Sequence, residues 1–216
     1  MNIKTNSILE TMVAASVKKR VAMLSRVSTG KWSVADISVP QRSMDEILSG
    51  HTAARGAGAA VYFEVCGEHP FTSMVLFRQE DIDIISRSFL GFSILKLQLF
   101  NQAQELLLSE LGNVVINAFN GALSNILGRG FLPSAPKCVR GVPRELIEAL
   151  WTALKPGQVH NVVTVALELR CGKDMTHSEV IALIPKSLEQ ALDTAAEKNY
   201  GIMIVKEPEP RRGRNE

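Results

Sequence analysis

Residues 109–136 read Ser-Glu-Leu-Gly-Asn-Val-Val-Ile-Asn-Ala-Phe-Asn-Gly-Ala-Leu-Ser-Asn-Ile-Leu-Gly-Arg-Gly-Phe-Leu-Pro-Ser-Ala-Pro. Through this stretch and its approach, Leu107, Leu108, Leu111, Val114, Val115, Ala118, Ala122 and Ile126 recur at three- and four-residue steps. That period is the stripe of a helix lying on a core. Glu110, Asn113, Asn117, Asn120 and Ser124 recur at the same steps and form a second, polar face. Asparagine is a poor helix former, because its side chain competes for backbone hydrogen bonds. Two readings of that face are open: a solvated surface, or a surface kept for chemistry. Side chains at i and i+3 are neighbours on a helix, about 5–6 Å apart at Cβ, so Glu110 and Asn113 project side by side. Pro136 follows Asn113 after 22 intervening residues.

Outward from this helix, the chain repeats its pattern after about 100 residues. A first helical pattern begins near Ser7, carries Ile8, Leu9, Met12, Ala15, Val21 and Leu24, and ends around Ser28-Thr29-Gly30. An extended stretch, Trp32 to Pro40, comes next. A hairpin then joins Ala59–Cys66 to Thr72–Phe77 through Gly67–Pro70. The second pass runs from the Glu110 helix, stopped at Gly128-Arg-Gly130, to an extended segment over Pro133–Val142. Its hairpin joins Asn161–Arg170 to Ser178–Ile184 by a turn near Gly172–Asp174. Alternation and β-branched content support the strands, and the glycine-bearing turns support the hairpins. Short helices are predicted over 81–90, 143–154 and 186–198.

The predicted fold is α+β: an internally duplicated, pseudo-two-fold antiparallel sheet with two long helices packed together. A repeat of this size present only twice points to a duplicated domain, not a solenoid. Gly112, Ala118, Gly121 and Ala122 are expected to let the second helix approach its counterpart closely. The halves are taken as residues 1–98 and 99–205. Residues 206–216 are proline-rich, charged and without apolar periodicity, and are expected to be a disordered tail. Its Arg211, Arg212 and Arg214 either touch an acidic partner or only aid solubility.

Composition excludes several classes. The 216 residues are 46% hydrophobic and 21% charged, which suits a globular protein with a sizeable core. A net charge of +2 and 6% aromatics argue against a nucleic-acid partner. Cys66, Cys138 and Cys171 are odd in number and widely spaced, so neither a disulfide framework nor a zinc site is supported. Reduced, semi-buried thiols are expected. No apolar signal core and no run approaching the ~18 residues of a membrane span is seen. A cytoplasmic protein with no membrane partner is expected.

The duplicated half, the Glu-x-x-Asn on a helix and the proline beyond it resemble the CheC/CheX/FliY family of bacterial chemotaxis phosphatases. That family's site is written Asp/Ser-x3-Glu-x2-Asn-x22-Pro; Glu110, Asn113 and Pro136 match it. The resemblance covers about 200 residues and leaves out only the tail. It implies a CheC-like fold and hydrolysis of the aspartyl phosphate of a phosphorylated CheY-like response regulator. By the same resemblance, Asn113 would orient the attacking water and Glu110 would reach the regulator's active-site lysine. The cofactor would be Mg²⁺ held by the regulator, with none of the chain's own. Asn117 would be a rim contact or a solvated residue, and Pro136 would shape backbone. Some family members pair with a CheD-like protein, and no feature of this sequence identifies a surface for one.

Two departures from the motif stand out. Leu106 occupies the Asp/Ser position, and its side chain can neither donate nor accept a hydrogen bond. In the first half Glu10 aligns with the motif glutamate, but Val13 takes the asparagine position and Pro40 follows it after 26 intervening residues. That half is expected to be catalytically dead, with Glu10 capping or solvating its helix. A pseudo-two-fold chain can stand in for a homodimer, so a monomer is expected. Two rival readings remain: a non-catalytic adaptor or flagellar-switch-type protein on the same fold, and an unrelated hydrolase. For the latter, His51, His69, His160, His177 and Ser109 form no Ser/His/Asp pattern or nucleophile elbow.

Overall fold

The Asn2 side chain accepts the Thr5 backbone N–H at 2.8 Å and caps the first helix. Helix α1 (Ile3–Leu24) therefore starts several residues before Ser7, where apolar periodicity alone had placed it. The computed structural model describes residues 1–26, 28–51, 56–90, 102–152 and 160–205. After α1 come β1 (Trp32–Ser38), α2 (Met44–Gly50), β2 (Gly58–Cys66), β3 (Phe71–Arg78) and α3 (Gln79–Leu90). The second pass is α4 (Gln102–Leu127), β4 (Leu132–Pro133), β5 (Lys137–Gly141), α5 (Pro143–Thr152), β6 (His160–Cys171), β7 (Asp174–Pro185) and α6 (Lys186–Val205). The expected tail, 206–216, and the 98/99 boundary between the halves lie outside the described residues.

The strands make one antiparallel sheet in the order β1-β6-β7-β3-β2, with β4 and β5 both lying along the outer edge of β2. The succession helix, strand, helix, hairpin, helix is run through twice. Exchanging the two passes maps the sheet order onto itself, with the β3–β7 pair at its centre. The β6–β7 hairpin is tighter than expected. Cys171 pairs with Asp174 across Gly172 and Lys173, and Gly172 takes φ +62° at the first turn position. A two-residue turn with glycine there matches the twist of the flanking strands.

Helices cover both faces. α1 and α4 pack side by side, and α6 packs on both, over one face bearing Val61, Val75, Val165 and Val180. α2 and α5 cover the other, where Ala60, Met74, Leu76, Ile181 and Leu183 point. Burial on both sides explains why β2, β3 and β7 read as nearly continuous apolar runs. By length and composition alone α4 could cross a membrane, which a scan for an unbroken apolar run overlooks. Its apolar side chains are instead buried against α1 and the sheet.

The two glycines of α4 act differently from expectation, while Ala118 and Ala122 are buried. A Cβ at Gly112 would stand 3.0 Å from the Val61 Cβ, so this glycine lets α4 settle on β2, not on α1. Gly121 has nothing within 4 Å of where its Cβ would be and lies open. These two glycines therefore respond oppositely to one added methyl. Gly112→Ala should lose about 1–3 kcal/mol through overpacking, while Gly121→Ala should gain about 0.5–1 kcal/mol from helix propensity. Urea unfolding of the two variants checks the opposite signs.

Candidate functional site

A helix turns about 100° per residue, which puts Leu106, Glu110, Asn113, Asn117, Gly121 and Ser124 on one narrow strip of α4. That strip faces away from the sheet. Leu106 is 64% exposed and Glu110 is exposed, while Asn113 and Asn117 are half-buried. The Glu110 carboxylate has neither a hydrogen bond nor an ion pair with any described residue.

Asn113 is not free. The Asn117 amide donates to the Asn113 carboxamide oxygen at 2.7 Å and to the Asn113 backbone carbonyl at 2.8 Å. Ser124 likewise donates to the Asn120 carbonyl at 2.8 Å. Such i to i−4 bonds satisfy polar side chains locally and explain how the helix tolerates them. The Asn113 amide nitrogen, by contrast, meets no acceptor among the described residues. Asn117 is thus bonded to Asn113 and not merely solvated. The signal for this contact is its four-residue offset from Asn113.

Asn120, expected on the polar face, is only 2% exposed. It lies at the edge of the strip, in line with the buried Ser109 and Ile116, where the packing of the neighbouring elements covers it.

Pro136 sits in a bulge. Val65 pairs with Pro133 and Tyr62 with Lys137, so three residues, 134–136, stand opposite Phe63 and Glu64. The Ser134 N–H donates to the Glu64 carbonyl at 2.8 Å, and its hydroxyl accepts the Glu64 N–H at 3.1 Å. A residue without an N–H is tolerated on an edge strand at a bulge. The motif's proline divides the extended segment predicted over 133–142 into β4 and β5.

The matching positions of α1 are closed. Val13 is 1% exposed, within the core. Glu10 neither caps nor simply solvates its helix: its carboxylate accepts the Val39 N–H at 3.1 Å. Asn6 donates to the Val39 carbonyl at 2.9 Å, so one turn of α1 grips both polar groups of a buried residue. The opposite edge strand also bulges, at Ala35 between Val34 and Asp36, where no proline stands.

Other chemistry lies away from this strip: across the sheet from α4, His51, His177, Glu168 and Glu179 line one pocket, with His51 bonding Glu179 at 2.9 Å and His177 facing Glu168 and Asp81. Ser109 is buried on α4. Cys66 is exposed, not semi-buried; Cys138 is half-buried, Cys171 buried, and all three are free. Burial, helped by the Glu105 charge, pushes the Cys138 thiol up to about 11, so it is no thiolate at neutral pH. Among the described residues no group of three or more His, Cys, Asp or Glu is placed to hold a metal.

No protein-family model and no curated protein matches the chain. Solved structures do match its fold. FliY of Thermotoga maritima is 13% identical with a TM-score of 0.66, the match covering 92% of this chain and 98% of that one. FliM from an H. pylori FliM–SpeE complex is 13% identical at TM-score 0.58, covering 90% and 97%. CheX in the CheX–CheY–BeF3–Mg²⁺ complex from Borrelia burgdorferi is 11% identical at 0.50, covering 81% and 96%. The resemblance to the CheC/CheX/FliY family therefore holds at the level of the fold.

The two aligned glutamates should differ in what they support. Glu10→Ala leaves the Val39 N–H, in a residue 2% exposed, without its partner and should lose about 1–3 kcal/mol. Glu110→Ala should stay within about 0.5 kcal/mol of the parent, as thermal unfolding of both would report.

Proposed function

We propose that this protein hydrolyses the aspartyl phosphate of a CheY-like response regulator, through one site on α4. The observation that carries this reading is the exposed Glu110 carboxylate, without a partner among the described residues, one turn from an Asn113 carboxamide held in a set orientation. The CheX structure of the same fold, solved with CheY and Mg²⁺, supports the choice of partner.

An aspartyl phosphate is a reactive acyl phosphate, and phosphoryl transfer depends chiefly on positioning and electrostatics. The phosphatase needs to place one water in line behind phosphorus. A carboxamide suits this because it donates and accepts without titrating, and Asn113 is assigned that task. Glu110 docks the regulator's active-site lysine by a charge-assisted bond. The Mg²⁺ is the regulator's own. Leu106 gives the glutamate no hydrogen bond and presents apolar surface to the partner instead. Pro136 shapes the edge beside the site and touches no reacting atom. The halves are read as copies of one unit, of which the first has given its glutamate to structure and only the second acts.

A second reading, binding without turnover, is favoured by Leu106 at the motif's Asp/Ser position and by the likeness to FliM.

Phosphate release from a phosphorylated CheY-like regulator with Mg²⁺ separates the two. The protein should accelerate release on the order of 10²-fold, equivalent to ~3 kcal/mol, and Asn113→Ala should abolish this while still binding. Binding without acceleration by the parent protein would establish the adaptor and reject the phosphatase.

A further inference from the structure

We infer that Asn117 is a positioning residue that selects which end of the Asn113 carboxamide faces the partner. The inference rests on the proposed phosphatase reading and adds to it a residue outside the Glu-x-x-Asn pair. The terminal torsion of asparagine is broad and roughly two-fold, so an unrestrained Asn113 would present its oxygen or its nitrogen outward almost indifferently. Only one of those orientations holds a water correctly.

The bond pattern removes the choice. One Asn117 amide nitrogen forks between the Asn113 backbone carbonyl at 2.8 Å and the Asn113 side-chain oxygen at 2.7 Å. The backbone arm anchors Asn117 to the helix, whose geometry is fixed, and the other arm transmits that anchor to the carboxamide. Both side chains are half-buried, which strengthens such a bond relative to its competition with water. The Asn113 oxygen keeps one lone pair for a water proton. Its amide nitrogen, lacking an acceptor among the described residues, projects its hydrogens toward the partner. An amide whose oxygen accepts a hydrogen bond is polarised and donates more strongly through its N–H. Setting the orientation before docking also removes an ordering step from the transition state.

A residue that only solvated the helix would do none of this. Alanine is the better helix former, so Asn117→Ala should leave the melting temperature unchanged or raised, and lost folding cannot explain lost activity. Glutamine retains the amide donor, and Gln–Asn pairs at this spacing bond on helices.

The test measures steady-state phosphate release from a phosphorylated CheY-like regulator and the side-chain amide NMR signals of Asn113. The parent protein is compared with Asn117→Ala, Asn117→Gln and Asn113→Ala. Asn117→Ala should lower kcat on the order of 10-fold with KM nearly unchanged and shift and broaden the Asn113 amide pair. Asn117→Gln should recover part of both. Parent-like kcat and amide signals in Asn117→Ala would overturn the positioning role and leave the phosphatase reading standing. A parent protein that releases no phosphate would overturn both, whatever the amide signals show.

Discussion

The close approach of α4 to β2 at Gly112 governs the rest of this structure. Val61 occupies the space a side chain would need, so the helix lies flat on the sheet and buries most of its circumference against sheet and α1. What remains in view includes the strip from Leu106 through Glu110, Asn113 and Asn117 to Gly121 and Ser124. The strip is presented on a rigid element that cannot roll without losing its core contacts. Rigidity of that kind is what a site working by placement requires.

The scaffold uses equivalent positions in two ways. On α4 no described residue engages the glutamate, and its neighbour is a half-buried carboxamide. On α1 the glutamate holds the Val39 N–H, and the position of the carboxamide is a core valine. A buried backbone N–H must find an acceptor, so a carboxylate given to that duty is withdrawn from any partner. The same side chain is thus tied into the architecture on one helix and left exposed on the other. Both edge strands bulge near these helices, with proline in the bulge only beside α4.

Much of the architecture was legible because it rests on periodicity. Two long helices, two hairpins and the strand after each helix carry their patterns openly, and a two-sided core explains even the unalternating runs. The α1 start was misplaced because a cap residue, Asn2, lies outside the apolar stripe. Asn120 stands at the edge of the polar face, where the helical period leaves burial open and the packing of neighbouring elements decides it.

The site divides in the same manner. The linear spacing of Glu110, Asn113 and Pro136 is a property of the chain, and with the helical period it determined that the two side chains are neighbours at a surface. Whether a given side chain is free or engaged depends on residues distant in sequence or a turn away. Val39 engages Glu10, no described residue engages Glu110, and Asn117 engages Asn113. Local order follows from backbone geometry and the hydrophobic period, which one segment contains by itself. The availability of a polar group is decided by its competing partners, and only the folded chain brings those together.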